Sequence, residues 1–243
     1  MSQYHQLFLN DVAEGKISVI LAASHLSVPD YEWLSATGLP VVGVNHEMFH
    51  PNLLGVDYPG LVDMGIDGLV RMGCRRIFLA GNIYHEEDPR YADVAKRFAS
   101  RLDHYQLPFD PGQILPLELD WKMANAHECA GFAMGDFLLK KNPEGLTPRD
   151  GLLVMDDIVC GGLVKCLYQK GYHVGQTVRI ATHSNKGSPV LYGFEEKLIL
   201  LEVDVTEAAE LLLDRVEELA SGEVNPEQLM IRPRLKFPKF SSE

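Results

Sequence analysis

The residues best suited to chemistry lie where an apolar strand ends. Leu152 to Met155 form a predicted buried strand, and two carboxylates, Asp156 and Asp157, follow it directly. A helix rich in small residues comes next, and a second apolar strand begins at Val178. This order predicts a β-α-β unit with acidic side chains at the carboxyl end of its first strand. Open parallel sheets bind ligands at that edge, so we expect a small-molecule site there.

Catalysis by this carboxylate pair on a metal or a phosphoryl group is one hypothesis. The side chains of adjacent residues diverge, however, and the sequence has no nucleophile elbow, Walker loop or dinucleotide-binding glycine motif. We therefore favour ligand binding over catalysis at Asp156 and Asp157. No cofactor is predicted.

The spacing of cysteine and histidine gives no sign of a metal site. The 4 cysteines contain no C-x-x-C pair. His127 and Cys129 lie two positions apart on a predicted helix, so they do not share a face. We expect reduced thiols in a cytoplasmic protein and no bound metal.

Composition excludes some classes of protein. The 243 residues carry a formal net charge of −12, which argues against a DNA-binding surface on this chain, because such a surface needs a basic face. No apolar run approaches the roughly 18–20 residues of a membrane span. The first residues have neither the basic nor the apolar region of a secretory signal.

Apolar runs alternate with helix-period stretches along most of the chain, which predicts an α/β protein with parallel sheets. The predicted strands are 17–22, 40–44, 53–56, 76–80, 113–117, 152–155, a strand from 178, 198–203 and 229–235. The predicted helices are 31–37, 60–72, 88–105, 123–140, the helix after Asp157, and 206–220.

Four segments, in a fixed order along the chain, carry a resemblance to a known family. They are the run from Val56 to Gly60 with the helix that ends in Gly73-Cys-Arg-Arg-Ile77, the Asp156-Asp157 turn with Gly161-Gly162, the run from Lys170 to Ile180, and the helix from Glu207 to Gly222. Together they resemble the effector-binding core of the lactose-repressor (LacI/GalR) family of bacterial transcription regulators. The resemblance extends from about residue 7 to residue 236.

The resemblance implies a periplasmic-binding-protein-like fold of type I, in which two doubly wound, parallel-sheet α/β lobes flank a cleft and are joined by three crossovers. Asn82 and Val203 would lie near hinges. The implied lobes are 1–81 with 204–223, and 82–203 with 224–243.

Two departures from the family pattern concern the start of the chain. The helix-turn-helix head of the family is missing. Phe8 to Leu21 corresponds to the second helix and third strand of the first lobe, so that lobe lacks its first strand, first helix and second strand. We interpret the chain as truncated at its start.

Six residues are candidates to hold the effector: Arg90, Trp121, Asp156, Ser184, His183 and Tyr58. Arg90, Trp121, Asp156 and Ser184 match family positions, His183 is adjacent to one, and Tyr58 is expected to face the cleft. Three of them have a structural alternative, a first-turn arginine, a core tryptophan and a helix cap at Asp156, and Asp157 is predicted to cap the following helix. Ser184 stands where the family has an aspartate, which removes an expected carboxylate, and His183 could supply a donor instead. The identity of the ligand therefore stays open.

The resemblance implies an effector-binding and dimerisation module of a transcriptional regulator, whose hinge closure on a small molecule, such as a sugar or sugar derivative, controls a DNA-binding head. Operator DNA would be contacted only by that head, and a homodimer is expected because operators are read by symmetric dimers. The alternative is a solute-binding protein of a transport system, which would require a signal peptide.

Overall fold

The computed structural model describes residues 3–45, 50–80, 89–120, 122–223 and 225–239, in which strands and helices alternate. The helices are α1 (Gln3–Ala13), α2 (Val28–Ser35), α3 (Tyr58–Arg71), α4 (Pro89–His104), α5 (Ala126–Lys141), α6 (Asp157–Gln169) and α7 (Val205–Ser221). The strands are β1 (Ile20–His25), β2 (Val41–Val44), β3 (Leu53–Val56), β4 (Arg76–Ala80), β5 (Ile114–Leu115), β6 (Asp150–Val154), β7 (Arg179–Asn185), β8 (Ile199–Val203), β9 (Met230–Ile231) and β10 (Arg234–Lys236). No helix in this described part is both long and apolar enough to span a membrane.

The chain divides into two compact units. Unit 1 comprises Met1–Asp57 and Asp204–Arg232, and unit 2 comprises Tyr58–Val203 and Pro233–Glu243. Each unit contains its own sheet, as expected for a chain of two α/β lobes. The predicted fold class, α/β with parallel sheets, is confirmed.

Unit 1 is built on a four-stranded parallel sheet in the order β1-β2-β3-β9. Leu26, Val41 and Leu53 form its buried apolar cluster. Helix α7 ends at Gly222, whose φ of 83° lies in the left-handed region that glycine adopts without strain. The core of unit 1 therefore lies along this sheet, against which α7 packs.

A buried arginine also holds unit 1 together. Arg215 on α7 is 2% exposed, and its guanidinium donates hydrogen bonds to the backbone oxygens of Pro51, Asn225 and Glu227. An ion pair of 2.7 Å joins it to Glu218. Because these acceptors come from two distant loops, one side chain fixes both against the helix.

Unit 2 is built on a six-stranded sheet in the order β10-β8-β7-β6-β4-β5. All neighbours are parallel except β10, which runs antiparallel to β8. Every residue of β6 is buried, as is typical of a central strand covered on both faces. The carboxyl end of β6 therefore lies in the middle of the sheet edge, beside β7.

The structure corrects the predicted lobes. The prediction placed residues 1–81 in the first lobe, but Tyr58 and the residues after it belong to unit 2. Gly65 and Gly68 let α3 pack closely against Leu153 and Ile199 of the unit 2 sheet, and β4 pairs with β6. The prediction also placed 224–243 in the second lobe, whereas unit 1 extends to Arg232.

The predicted last strand, 229–235, is two strands. Residues Met230–Ile231 pair with β3 in unit 1, and Arg234–Lys236 pair with β8 in unit 2. Pro233 lies between them, and its missing N–H cannot continue a strand ladder. One predicted strand therefore contributes a short strand to each of the two sheets.

Helices α5 and α6 cross at unusually close range because glycines remove the side chains between them. A Cβ at Gly131 would overlap the carbonyl group of Val159, and a Cβ at Gly162 would overlap the carbonyl group of Glu128. Gly135 lies in the same way against Cys166. The two backbones thus touch directly, which fixes the start of α5 beside the start of α6.

We predict that Gly162→Ala destabilises the protein by at least about 3 kcal/mol, because the added methyl group meets backbone rather than a side chain that could move. The matched control is Gly161→Ala, one position earlier on α6, where the nearest atom to a new Cβ is the Val190 oxygen at 3.9 Å. This control should gain roughly 0.5–1 kcal/mol from helix propensity. Chemical unfolding of both variants measures the difference, and equal stabilities would contradict the close crossing.

Candidate functional site

The register of the unit 2 sheet brings the predicted acidic pair beside polar residues of the next strand. Val154 of β6 pairs with Thr182 of β7, so Asp156 and Ser184 each lie two residues beyond that pair. His183 and Asp157 also lie at this edge, and their charges interact. We call this set of residues (Asp156, Asp157, His183 and Ser184, with His127 and Ser188 described below) the carboxyl edge of unit 2.

Asp156 is the N-terminal cap of α6. One carboxylate oxygen accepts the backbone N–H of Val159 at 2.8 Å. Its other oxygen lies 3.2 Å from Nδ1 of His127, on the first turn of α5. The prediction that Asp157 caps this helix is wrong, because Asp156 takes that position. Asp156 still presents a carboxylate whose orientation is fixed from two sides.

Asp157 is a buried carboxylate with little compensation. It is 7% exposed, and its only hydrogen bond to another side chain within the described residues is a long one, 3.5 Å, from the Ser188 hydroxyl. Burial raises the pKa of Asp157 above its ordinary value, and the charge of Asp156 adds to the rise, while His183 opposes it. A buried acid held in this way is typical of a functional site rather than of a packing position.

His183 and Ser184 lie at the end of β7. Burial lowers the pKa of His183, although the two aspartates pull it upwards. The imidazole is therefore neutral at neutral pH. Ser184 is buried, and its hydroxyl makes a long hydrogen bond of 3.4 Å to the carbonyl of Asn185. The structure thus brings three of the six predicted residues, Asp156, His183 and Ser184, to one place.

The other three predicted residues have weaker support. Tyr58 is the half-buried first residue of α3 in unit 2. Arg90 is the second residue of α4, but its side chain lies outside the described part of the structure, as does Trp121. The roles of these three residues stay predictions.

Sequence reasoning missed two residues of the site. His127 was set aside because it forms no metal-binding pair on its own helix, yet the glycine crossing of α5 and α6 places it against Asp156. Ser188 contacts Asp157 from the turn after β7. Neither contact follows from spacing in the sequence, because His127 and Asp156 are 29 positions apart and Asp157 and Ser188 are 31 positions apart.

Asp150, at the opposite end of β6, shows what a structural carboxylate looks like in this protein. It accepts hydrogen bonds from Arg76 Nε at 2.6 Å and from the backbone and hydroxyl of Thr147 at 2.7 and 3.0 Å. Burial alone would raise the pKa of Asp150, but these donors outweigh it and the pKa lies below its ordinary value. The chain thus enters β6 at Asp150, whose charge its donors stabilise, and enters α6 at Asp157, whose charge burial disfavours.

Two buried thiols of unit 2 are poor nucleophiles. Burial raises the pKa of Cys160, on the first turn of α6, to about 12. Burial also raises the pKa of Cys74, at the opposite end of the sheet beside Gly151, to about 12. Among the described residues, no cluster of three or more histidine, cysteine or acidic side chains has a geometry that could hold a metal ion. The edge is thus equipped with carboxylates, imidazoles and hydroxyls.

Structure comparison finds the same fold in solved bacterial regulators. A regulatory protein of the LacI family from Chloroflexus aggregans superposes with a TM-score of 0.74 at 18% identity over 97% of this chain and 82% of its own. The regulator CcpA of Lactococcus lactis gives 0.72 at 18% identity over 95% and 80%, respectively. The regulator CelR in complex with cellobiose gives 0.68 at 17% identity over 97% and 69%.

At these identities the likeness establishes the fold that the sequence resemblance implied. No protein-family model and no curated protein matches the sequence.

Asp150 and Asp157, which lie at and beyond the two ends of β6, should make the stability of the protein depend on pH in opposite directions. The raised pKa of Asp157 means that the folded state disfavours its charge, so its contribution to stability falls as pH rises through that pKa. Asp150, with its lowered pKa, contributes stability above its ordinary pKa that is lost on acidification. We expect Asp157→Asn to stabilise the protein at pH 7, by on the order of 1 kcal/mol, and Asp150→Asn to cost roughly 2 kcal/mol.

Both differences in the free energy of unfolding should shrink at about pH 4, because aspartates of the unfolded protein begin to be protonated at that pH. Urea unfolding of the two variants and the native sequence at the two pH values measures this. If Asp157→Asn costs as much as Asp150→Asn at pH 7, Asp157 is a structural group and its assignment to the site is wrong.

Proposed function

We propose that this chain is the effector-binding and dimerisation module of a bacterial transcriptional regulator, with a sugar or sugar derivative as effector. The observation that carries the proposal is the buried, weakly compensated Asp157 beside Asp156 and His183 at the carboxyl edge of unit 2. The fold shared with LacI-family regulators, one of them in complex with cellobiose, supports it. Ligands of open α/β sheets bind at this edge.

The chemistry of the edge suits a ligand rich in hydroxyl groups. Ionised carboxylates are acceptors only, so Asp156 and Asp157 need a partner that donates hydrogen bonds. Arg90 and Trp121 are proposed to add a forked donor and an aromatic stacking face, and Tyr58 a further polar contact.

Regulation of transcription would also require contact with operator DNA. We propose that operator DNA is bound by a domain outside this sequence, since the chain has a net charge of −12. The protein would act in the cytoplasm, which agrees with cysteines that form no disulfide. Effector binding would then alter the DNA affinity of that domain.

The dimer is proposed to form through an apolar surface of unit 2 that α6 and the turn after β7 share. Ile158 and Val190 are 42% and 41% exposed, and Tyr192 is 83% exposed. A Cβ at Gly161 would lie 3.9 Å from the Val190 oxygen, so α6 and the turn are adjacent and this surface is continuous. Exposed aromatic and aliphatic residues grouped in this way are typical of protein interfaces.

The alternative function is a solute-binding protein of a transport system, which would bind a sugar at the same edge but act as a monomer. A catalytic function has less support, because no described group near Asp157 has the pKa of a nucleophile or the pattern of a metal site. Oligomeric state therefore separates the two binding hypotheses.

We predict that calorimetry with a panel of neutral sugars, cellobiose first, detects a stoichiometric binder. Asp156→Asn should weaken its binding about tenfold to hundredfold, because a hydrogen bond to a charged acceptor contributes about 1.5–3 kcal/mol, whereas the asparagine oxygen can still cap α6. The control is Asp103→Asn, an exposed carboxylate on α4, which should leave affinity unchanged. Absence of binding across the panel would overturn the proposed function.

We also predict that the protein is a dimer in solution and that Tyr192→Asp converts it to single chains, because burying a charge at an apolar interface is costly. Leu213→Asp, at a residue 52% exposed on α7 of unit 1, is the control and should stay dimeric. Light scattering coupled to size-exclusion chromatography gives the mass. A native protein that binds a sugar as a monomer would favour the transport alternative.

A further inference from the structure

We propose that effector binding at the carboxyl edge of unit 2 is coupled to the release of protons, so that acidification weakens the affinity for the effector. The inference rests on the proposed function and adds a form of regulation to it. Four ionisable groups, His127, Asp156, Asp157 and His183, converge on one sheet edge from three elements of unit 2.

Asp157 is the group whose ionisation matters most. It is 7% exposed, and among the described residues its only hydrogen bond to another side chain is the 3.5 Å contact with Ser188. Asp157 is already largely shielded from water, so hydroxyl groups of a ligand add hydrogen bonds to its charged form while removing little further solvent, and a bound ligand lowers its proton affinity. Burial has already raised the pKa of Asp157 in the free protein. Binding must therefore expel the proton that Asp157 takes up on acidification.

His183 acts in the same direction. Its ring is largely buried at the end of β7, and burial lowers its pKa, so the neutral ring is the form that faces Asp157 and Asp156. A ligand that covers the edge removes more water from the imidazole, which further disfavours the protonated form. Protonation of His183 in acid would thus also oppose binding.

His127 links a third element to the pair. Its Nδ1 lies 3.2 Å from Asp156, whose side chain is 16% exposed, and the closeness of α5 and α6 prevents the two from separating. The Lys165 ammonium on α6 forms an ion pair with Glu128 on α5. The charges that act on Asp157 are those of His183 and Asp156.

The sign of the effect follows from linkage. The pKa of Asp157 is higher in the free protein than in the complex. The apparent affinity for the effector therefore starts to fall as the pH drops through the pKa that Asp157 has in the free protein. Each proton displaced on binding lowers the affinity by up to about tenfold per pH unit in that range. Above it, in the neutral range, affinity should be constant.

The test is calorimetric titration of the full chain at pH 8.0, 7.0, 6.0 and 5.0, with cellobiose as the first probe and the tightest-binding neutral sugar of the panel as the second. We expect a plateau between pH 8.0 and 7.0 and at least a tenfold loss of affinity by pH 5.0. Asp157→Asn should bind less tightly at pH 8.0 and show a loss of less than threefold over the same range. His173→Asn, at an exposed histidine in the turn after α6, should keep the native profile.

A sugar that binds with a flat profile, or more tightly in acid, would overturn the inference and leave the proposed function standing. No binding of any sugar at any pH would overturn both. Should Asp157→Asn fold poorly, calorimetry of the native protein in two buffers of different ionisation enthalpy at pH 5.5 counts the protons released. A count of zero, or net uptake, would equally contradict the coupling.

Discussion

The direct contact between the backbones of α5 and α6 is the constraint on which the candidate site depends. Gly131 and Gly162 make it possible, since a methyl group at either position would overlap a carbonyl group of the other helix. The contact holds His127 against the carboxylate that caps α6, and β6 delivers that carboxylate to the centre of the sheet edge. A looser crossing would leave the fold intact but separate the imidazole from the aspartate.

The acidic residues of β6 and α6 show how stability and function are divided within one β-α unit. Asp150 is surrounded by donors from Arg76 and Thr147 and stabilises the start of the strand. Asp157 is buried and accepts backbone hydrogen bonds at the start of α6 and a long one from the Ser188 hydroxyl, but burial outweighs these donors, so the folded protein disfavours its charge. A carboxylate that destabilises the free protein is well suited to binding, because a ligand that donates hydrogen bonds relieves that cost.

Local patterns predicted much of the fold and part of the site. Strands β3 and β4 begin and end where their apolar runs do, and α4 lies one residue inside each end of the predicted range 88–105. Membership of a unit was less predictable: α3 packs on the second sheet through glycines whose partners are distant in sequence, and Pro233 divides one apolar run between two sheets. His127 escaped notice for the same reason, since only tertiary packing brings it to Asp156.

A ligand bound at the carboxyl edge of the unit 2 sheet should protect the backbone amides around it. Amide hydrogen exchange, measured with and without saturating cellobiose or the tightest-binding sugar, detects that protection. We expect slower exchange at the start of α6, from Asp157 to Gly161, and in the turn from Asn185 to Ser188. Unchanged exchange in both segments, with protection confined to the amino end of the same sheet around Thr147 and Val178, would contradict it.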